Sequence, residues 1–403
     1  MKKILIIIFL LSLIFSSDYY FSNYGSGEKI FNLNPSSISL GWSNLFSSQT
    51  TNNVSSLSQF YTSDLVRVNI SSDFNFYYIN KNKYFSQKMN FFSFLVPLQD
   101  NKKGLGFSLS PYYRINSSLI EDDYNYFPGM GGEDSGPLAY KSEYNFTGGP
   151  SVASILYSSK LNNHLSLGLK FNYIFGSLYS NIKHNIYDIY YNNISEISYV
   201  LQSSDIYTSI KKYKGLGIDL EISYLSNKNR FVSSISLLND INVNEFFYDD
   251  VIIENLELGV NFNEETAYKL SAPFEFNFGY LRNINKSNNV IFEFYLYESF
   301  NSNNNILNEN DLDKNKINIG YYKSYWNNKF TLSSGLYMFN SSSSSITSKK
   351  YGATFGLDFN LIKNISINTC VEIGKNKIST SQLLTEDYIN LYIGISAADK
   401  WFK

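Results

Sequence analysis

Two histidines and one cysteine are the only side chains in this sequence that could serve as a near-neutral base, an imidazole metal ligand or a thiol nucleophile. His164 falls in an expected short turn and His184 in an expected loop, neither beside a serine elbow nor a carboxylate at metal-ligand spacing. A lipase built on a barrel would need serine and histidine on facing strands, and neither histidine lies inside an expected strand. No glycine-rich phosphate loop and no Cys/His cluster occurs. Cys370 is the only cysteine, so no internal disulfide framework can form, and no thiol lies near residue 17 to take a lipid. It reads as a plain strand residue. The sequence therefore predicts no enzyme, no metal site and no cofactor.

The remaining chemistry lies in charged residues interleaved with apolar ones: Arg67, Lys170, Asp219, Glu221, Glu275, Glu293, Asp358 and Glu372. In an extended strand, successive side chains point to opposite faces. These groups must therefore share one face, and their apolar neighbours the other. The pattern is clearest from Tyr388 to Ser396, where Ile389, Leu391, Ile393 and Ile395 alternate with Tyr, Asn, Tyr and Gly. Leu165–Tyr173 and Tyr351–Phe359 repeat it.

Alternation alone also fits a soluble sandwich, which a secreted protein could be. Segment length and loop parity favour a membrane-spanning sheet. The alternating runs reach roughly 9 to 14 residues, enough for a tilted strand to cross a bilayer and longer than the 5 or 6 usual in soluble sheets. Fourteen strands are predicted, over 65–79, 84–97, 104–117, 147–159, 165–179, 212–225, 230–239, 272–283, 289–298, 316–323, 330–339, 350–361, 365–374 and 388–396. Short Asn- and Lys-rich turns (Gln99–Lys103, Leu161–His164, Ser226–Arg230, Ile284–Asn288, Trp326–Lys329, Ile362–Asn364) alternate with long polar connections. That parity matches short periplasmic turns and long outer loops. Residues 251–262 have strand character, but a fifteenth strand would break the parity, so they are placed in an outer loop.

Composition agrees. The chain is 43% hydrophobic and 17% aromatic, yet no internal apolar run is long enough for a spanning helix, so this apolar content must be spread along strands. Lys2 and Lys3 precede an apolar run from Ile4 to Phe15, the pattern of a secretory signal over 1–17. A net charge of -2 with no basic stripe argues against nucleic acid as a partner. The expected fold is all-β, a transmembrane antiparallel barrel of about 14 strands over 63–403, in the outer membrane of a diderm bacterium. Its expected partners are outer-membrane lipid, hydrophobic small molecules and the barrel-insertion machinery.

A barrel of this size needs something inside it. Residues 18–62 show no comparable alternation and are the expected hatch. Pro111 removes a ladder donor from the third strand, which must break pairing there.

Taken in order, Ser22–Glu28 (SNYGSGE), Gly104–Tyr112 (GLGFSLSPY), Leu165–Gly176, Ala272–Tyr280, Glu386–Gly394 and the ending Trp401–Lys403 resemble the long-chain fatty-acid outer-membrane transporter family, FadL/TodX-like barrels. The resemblance spans nearly the whole chain. It implies a 14-stranded barrel with an N-terminal hatch and passive uptake of hydrophobic compounds that leave sideways through a kink in the third strand, where Pro111 lies. The family's Asn-Pro-Ala hatch segment is not matched: Asn53-Val-Ser-Ser56 stands in its place, and Asn34-Pro35-Ser36 comes earlier. Tyr124, Tyr126, Phe127, Phe246, Phe247 and Tyr248 are the expected loop residues for collecting a ligand, since each buried CH2 contributes about 0.8 kcal/mol. The alternative is a structural or accessory barrel, a partner in secretion or surface attachment, without transport.

Overall fold

The structure is a computed structural model that describes residues 28–29, 34–48, 57–62, 65–79, 82–99, 102–127, 138–193, 196–253, 256–258, 264–270, 274–285, 287–298, 313–326, 329–342, 347–362, 365–379 and 383–399. The expected signal, 1–17, and Asn53 lie outside the described residues.

Nineteen strands are described: β1 (Glu28–Lys29), β2 (Val66–Ile79), β3 (Asn82–Gln99), β4 (Lys103–Pro111), β5 (Tyr113–Phe127), β6 (Leu138–Lys160), β7 (Leu165–Asn193), β8 (Glu196–Ser226), β9 (Asn229–Leu238), β10 (Ile241–Ile253), β11 (Leu256–Leu258), β12 (Glu264–Leu270), β13 (Phe274–Asn283), β14 (Asn288–Glu298), β15 (Asp313–Tyr325), β16 (Phe330–Ser342), β17 (Thr347–Ile362), β18 (Ile365–Ser379) and β19 (Leu383–Asp399). One short helix, α1 (Pro35–Ile38), precedes the barrel. Fourteen wall positions close into an antiparallel ring, with β4 and β5 together forming the third. The seam is the ladder between β19 and β2, which includes Asn390 opposite Asn75. Closure leaves no sheet margin at the ends of the chain, the condition that hydrocarbon imposes on a spanning sheet.

The two faces separate as the alternation requires. On β17, Tyr351, Phe355, Leu357 and Phe359 are exposed outward, whereas Thr354 and Asp358 are buried inside. The same division gives an outer belt that includes Phe171, Tyr173, Leu216, Ile218, Leu220, Ile319, Leu336 and Ile373. A continuous apolar girdle facing away from a polar interior belongs in a bilayer rather than in water. No described helix is long and apolar enough to cross a membrane.

Several segments expected to be irregular outer loops are strand instead. β7 has 29 residues and β8 has 31, where roughly 9 to 11 suffice to cross a bilayer. Their far ends form a ribbon, Leu178–Asn193 against Glu196–Lys211, that carries His184, expected in a loop. Above the hydrocarbon both faces of a strand meet water, so the ladder persists while the alternation that would reveal it is lost. β10 joins this ribbon by pairing with β8 and β12. The stretch 251–262 thus contributes strand, in part, outside the ring and adds no fifteenth wall strand.

Candidate functional site

Residues 34–48 and 57–62 pack against the inner wall, and their path begins with a local sequence signal. Asn34 caps α1, its Oδ1 accepting from the Ser37 N–H at 2.9 Å, and Pro35 occupies the first turn, where a missing N–H costs nothing. Gly41 and Trp42 then take positive φ values of 78° and 63°, reversing the chain. The Gly41 N–H donates to Thr354 Oγ1 at 3.0 Å. Glycine in the wall permits this approach: a Cβ at Gly335 would run into the Gly41 backbone, and one at Gly320 would lie 2.8 Å from the Leu40 carbonyl oxygen.

Four wall carboxylates hold the segment. Glu293 on β14 accepts from Ser43 Oγ at 2.6 Å and from the N–H groups of Asn44 and Leu45 at 2.8 and 3.2 Å. Lys316 lies 3.4 Å from the same carboxylate, both side chains are fully buried, and the ammonium also donates to the Trp42 carbonyl. Asp358 on β17 accepts from Ser36 Oγ and Asn368 Nδ2, each at 2.8 Å, and from Ser48 Oγ. Glu372 on β18 accepts from Trp42 Nε1 at 2.9 Å, from Asn390 Nδ2 at 2.8 Å and from the hydroxyls of Tyr337 and Tyr392. Glu221 on β8 accepts from the N–H groups of Leu57 and Ser58 and from Ser58 Oγ.

A buried carboxylate without donors costs several kcal/mol, whereas each hydrogen bond to a charged group contributes about 1.5–3 kcal/mol. The arrangement therefore fixes the segment wherever donor and carboxylate meet. Of the eight charges expected to point inward, these four bind the N-terminal segment. Lys170 and Asp219 pair with each other across β7 and β8 at 3.2 Å, Glu275 accepts from the Tyr295 hydroxyl at 3.1 Å, and Arg67 on β2 is half-buried. Trp42, Ser43, Ser58 and Lys316 went unnoticed in the sequence because serines and backbone donors carry no periodic signal.

The third wall position is broken. β4 pairs with β3 as far as Phe92–Leu109 and with β6 as far as Pro111–Ser151. Extending the β3 register by two residues would set Pro111 opposite Asn90, the residue skipped in the β2–β3 ladder between Ser71–Phe91 and Ser72–Met89. A residue without an N–H thus meets a bulge, and the ladder ends. The Tyr112 N–H instead donates to the Pro150 carbonyl at 2.9 Å. The irregularity crosses the neighbouring strands at the same level: Gly148 and Gly149 on β6 and Gly176 on β7 all have positive φ, and Gly176 pairs with Pro150. β5 resumes pairing with β6 at Ile115–Gly148.

Beside this break lies an apolar cluster inside the barrel, formed by Tyr112, Val152, Ile174, Leu178, Tyr213, Ile241 and Val243. The expected loop residues are not gathered there. Phe246 and Phe247 are half-buried and Tyr248 is exposed on β10, with Lys212 Nζ 4.7 Å from the Phe246 ring centroid. Tyr124, Tyr126 and Phe127 belong to β5, but their side chains lie outside the described residues. His164 is exposed in its turn, its Nδ1 2.9 Å from the Leu225 carbonyl, while His184 Nδ1 lies 3.0 Å from Ser142 Oγ.

A family model described as BamG matches residues 1–403. No curated protein matches the chain. Among solved structures, a Pseudomonas aeruginosa FadL homologue is similar at 11% identity and a TM-score of 0.59, over 94% of this chain and all of that one. A monoaromatic hydrocarbon channel, CymD, is similar at 10% identity and a TM-score of 0.54, over 91% of this chain and 98% of that one. The toluene transporter TbuX of Ralstonia pickettii gives 10% and 0.52 over the same shares. At these identities the likeness is one of fold: this chain has the architecture of FadL-type barrels.

Proposed function

The chain belongs to the BamG family, and from that premise, together with its FadL-type fold, we propose that it is an outer-membrane channel for passive uptake of hydrophobic compounds, long-chain fatty acids among them, with release sideways into the bilayer. The observation that carries this reading is the third wall strand, whose ladder to β3 stops at Phe92–Leu109 and whose continuation, among the described residues, pairs on one wall neighbour only. A wall interrupted at the level of an internal apolar cluster offers an apolar solute a route that avoids the polar lumen. Asn34, Pro35 and Asn53 belong to the segment proposed as the hatch, Pro111 marks the lateral opening, and Tyr124, Tyr126, Phe127, Phe246, Phe247 and Tyr248 are proposed to collect ligand outside.

The experiment compares uptake of a radiolabelled long-chain fatty acid and of toluene in cells carrying the barrel, its Pro111→Ala variant or no barrel. Uptake above the barrel-free level that changes with Pro111→Ala supports the reading. Uptake equal to the barrel-free level for both solutes removes it.

A second reading, an accessory barrel without transport, is favoured by the way Glu221, Glu293, Asp358 and Glu372 tie the N-terminal segment to the wall. On that reading the lumen is permanently filled, and the long ribbon of β7, β8 and β10 carries the function as a surface for another outer-membrane protein. Single-channel recording separates the two: a barrel that conducts neither ions nor solute, yet remains folded, fits the second.

A further inference from the structure

We propose that Lys349, Lys375 and Lys377 form an outward-facing site for the phosphate monoester of an outer-leaflet glycolipid headgroup, the chemistry that lipid A carries. The inference goes beyond the channel reading. It rests only on the barrel lying in an outer membrane, whether or not it transports anything.

The site begins where the apolar belt ends. Uncharged residues face outward from Tyr351 to Leu361 on β17 and from Ile365 to Ile373 on β18, with Phe355, Leu357, Phe359 and Ile373 among the exposed ones. These stretches match the roughly 9–11 residues that a tilted strand needs to cross hydrocarbon. The next outward positions, away from the short turn between Ile362 and Ile365, are Lys349 on β17 and Lys375 and Lys377 on β18. With short turns on the periplasmic side, all three lysines fall at the outer leaflet.

Their register calls for an anion. Lys349 and Lys377 stand directly opposite each other in the β17–β18 ladder, and both are exposed. Like charges so placed destabilise an antiparallel pair. The flanking strands supply no counter-charge in that row, because Asn340 lies opposite Lys349 and Thr385 opposite Lys377. Both neighbours are neutral, and each can donate a hydrogen bond to an oxyanion. One row nearer the hydrocarbon, Lys375 lies 3.1 Å from the Asp387 carboxylate, and the Tyr351 ring centroid is 5.9 Å from Lys377 Nζ. Three ammonium groups against one carboxylate leave two positive charges within two rows, in a chain whose formal net charge is -2. A phosphate monoester brings about -1.5 to -2 at neutral pH and three strong acceptor oxygens. The phosphodiester of a phospholipid brings a single charge, so the monoester is the better match.

The test takes the delipidated full-length barrel in neutral detergent and measures binding of diphosphoryl lipid A by native mass spectrometry. Lys349→Gln with Lys377→Gln should weaken binding at least about tenfold, and Lys349→Arg with Lys377→Arg should retain most of it. Lys102→Gln with Lys103→Gln, the same loss of charge at exposed positions on the opposite rim, should change it less than about twofold. A second arm follows urea unfolding in phosphatidylcholine vesicles with and without lipid A. Without lipid A the 349/377 Gln variant should be as stable as wild type or more so, because the repulsion is gone; with lipid A it should be the less stable of the two. Heat-modifiable gel mobility establishes that each barrel is folded. Equal weakening in the two Gln variants would reduce the lysines to general surface charge and overturn the site. Phosphatidylglycerol binding as tight as lipid A, displacement of lipid A by inorganic phosphate, or a Gln variant less stable in both kinds of vesicle would overturn it too. Absent uptake with lysine-dependent lipid A binding intact sinks only the transport reading.

Discussion

The hydroxyl oxygens of Tyr113 and Tyr297 lie 2.6 Å apart, although the two residues stand on the third and ninth of fourteen wall positions, nearly opposite in the ring. Tyr113 is the first residue of β5, directly after the break, so the third strand turns into the lumen far enough to touch the opposite wall. Tyr112 beside it is buried in the internal cluster, its ring 4.8 Å from that of Tyr113 in an edge-on arrangement. The inward turn thus couples the interruption of the wall to the far side of the barrel.

If that coupling holds the indentation in place, Tyr113→Phe and Tyr297→Phe should each destabilise the barrel by about 1 kcal/mol, and the double variant by little more than either single one. Urea unfolding in lipid vesicles, followed by tryptophan fluorescence, gives the coupling from the four proteins. Additive losses would show that the two hydroxyls do not share a bond in the membrane.

Gly335→Ala addresses the N-terminal segment separately from the wall. Its added methyl would collide with the Gly41 backbone, which cannot swing aside as a side chain would. Residues 40–46 should then become open to chymotrypsin while the barrel stays folded. Leu336→Ala, one residue along and facing outward, should leave that stretch protected. Protection of both variants would mean that the segment has room the geometry does not suggest.

What the sequence made legible, and what it did not, follows from where water is. Inside the bilayer each strand has one lipid face and one polar face, and the alternation in Leu165–Tyr173 or Tyr388–Ser396 marks β7 and β19 correctly. Above the bilayer the distinction disappears, and the upper halves of β7 and β8 read as loops. Pro111 announced a break, but nothing local says that Tyr113 turns inward, because its partner Tyr297 is 184 residues away. Likewise Glu293 and Glu372 were recognisable as inward charges. Their donors, the N–H groups of Asn44 and Leu45 and the indole of Trp42, lie in a stretch whose pattern carries no period.

The outward belt predicts a depth-dependent penalty. Phe355, on β17 in the middle of the apolar face, exposes its side chain to the surroundings. Phe355→Arg should cost about 2–4 kcal/mol in lipid, as a cation does near the bilayer midplane, whereas a substitution to Leu should cost much less. Equal stability of the two variants in vesicles would place this face in water rather than hydrocarbon.

The sharpest demand falls on Glu293 and Lys316, both fully buried and 3.4 Å apart. Glu293→Gln would remove the carboxylate that faces the Lys316 ammonium in a site closed to water, where the Trp42 carbonyl and the rings of Tyr295 and Phe339, which also face it, are neutral. Breaking a buried pair by removing one member typically costs about 3–5 kcal/mol, more than the pair itself contributes. The single amide oxygen of the variant can replace only one of the two carboxylate oxygens, the one that accepts from the Asn44 N–H or the one that accepts from the Leu45 N–H and Ser43 Oγ, so the loss divides between the stranded cation and the N-terminal segment. Adding Lys316→Met should therefore recover the share that comes from the stranded cation, because it removes the charge and keeps the volume. The measurement is urea unfolding of wild type, both single variants and the double variant in vesicles, with chymotrypsin cleavage at Leu40–Phe46 as a separate readout of the segment. A double variant as unstable as Glu293→Gln alone would mean that Glu293 acts through the segment's backbone donors, and that the lysine is incidental.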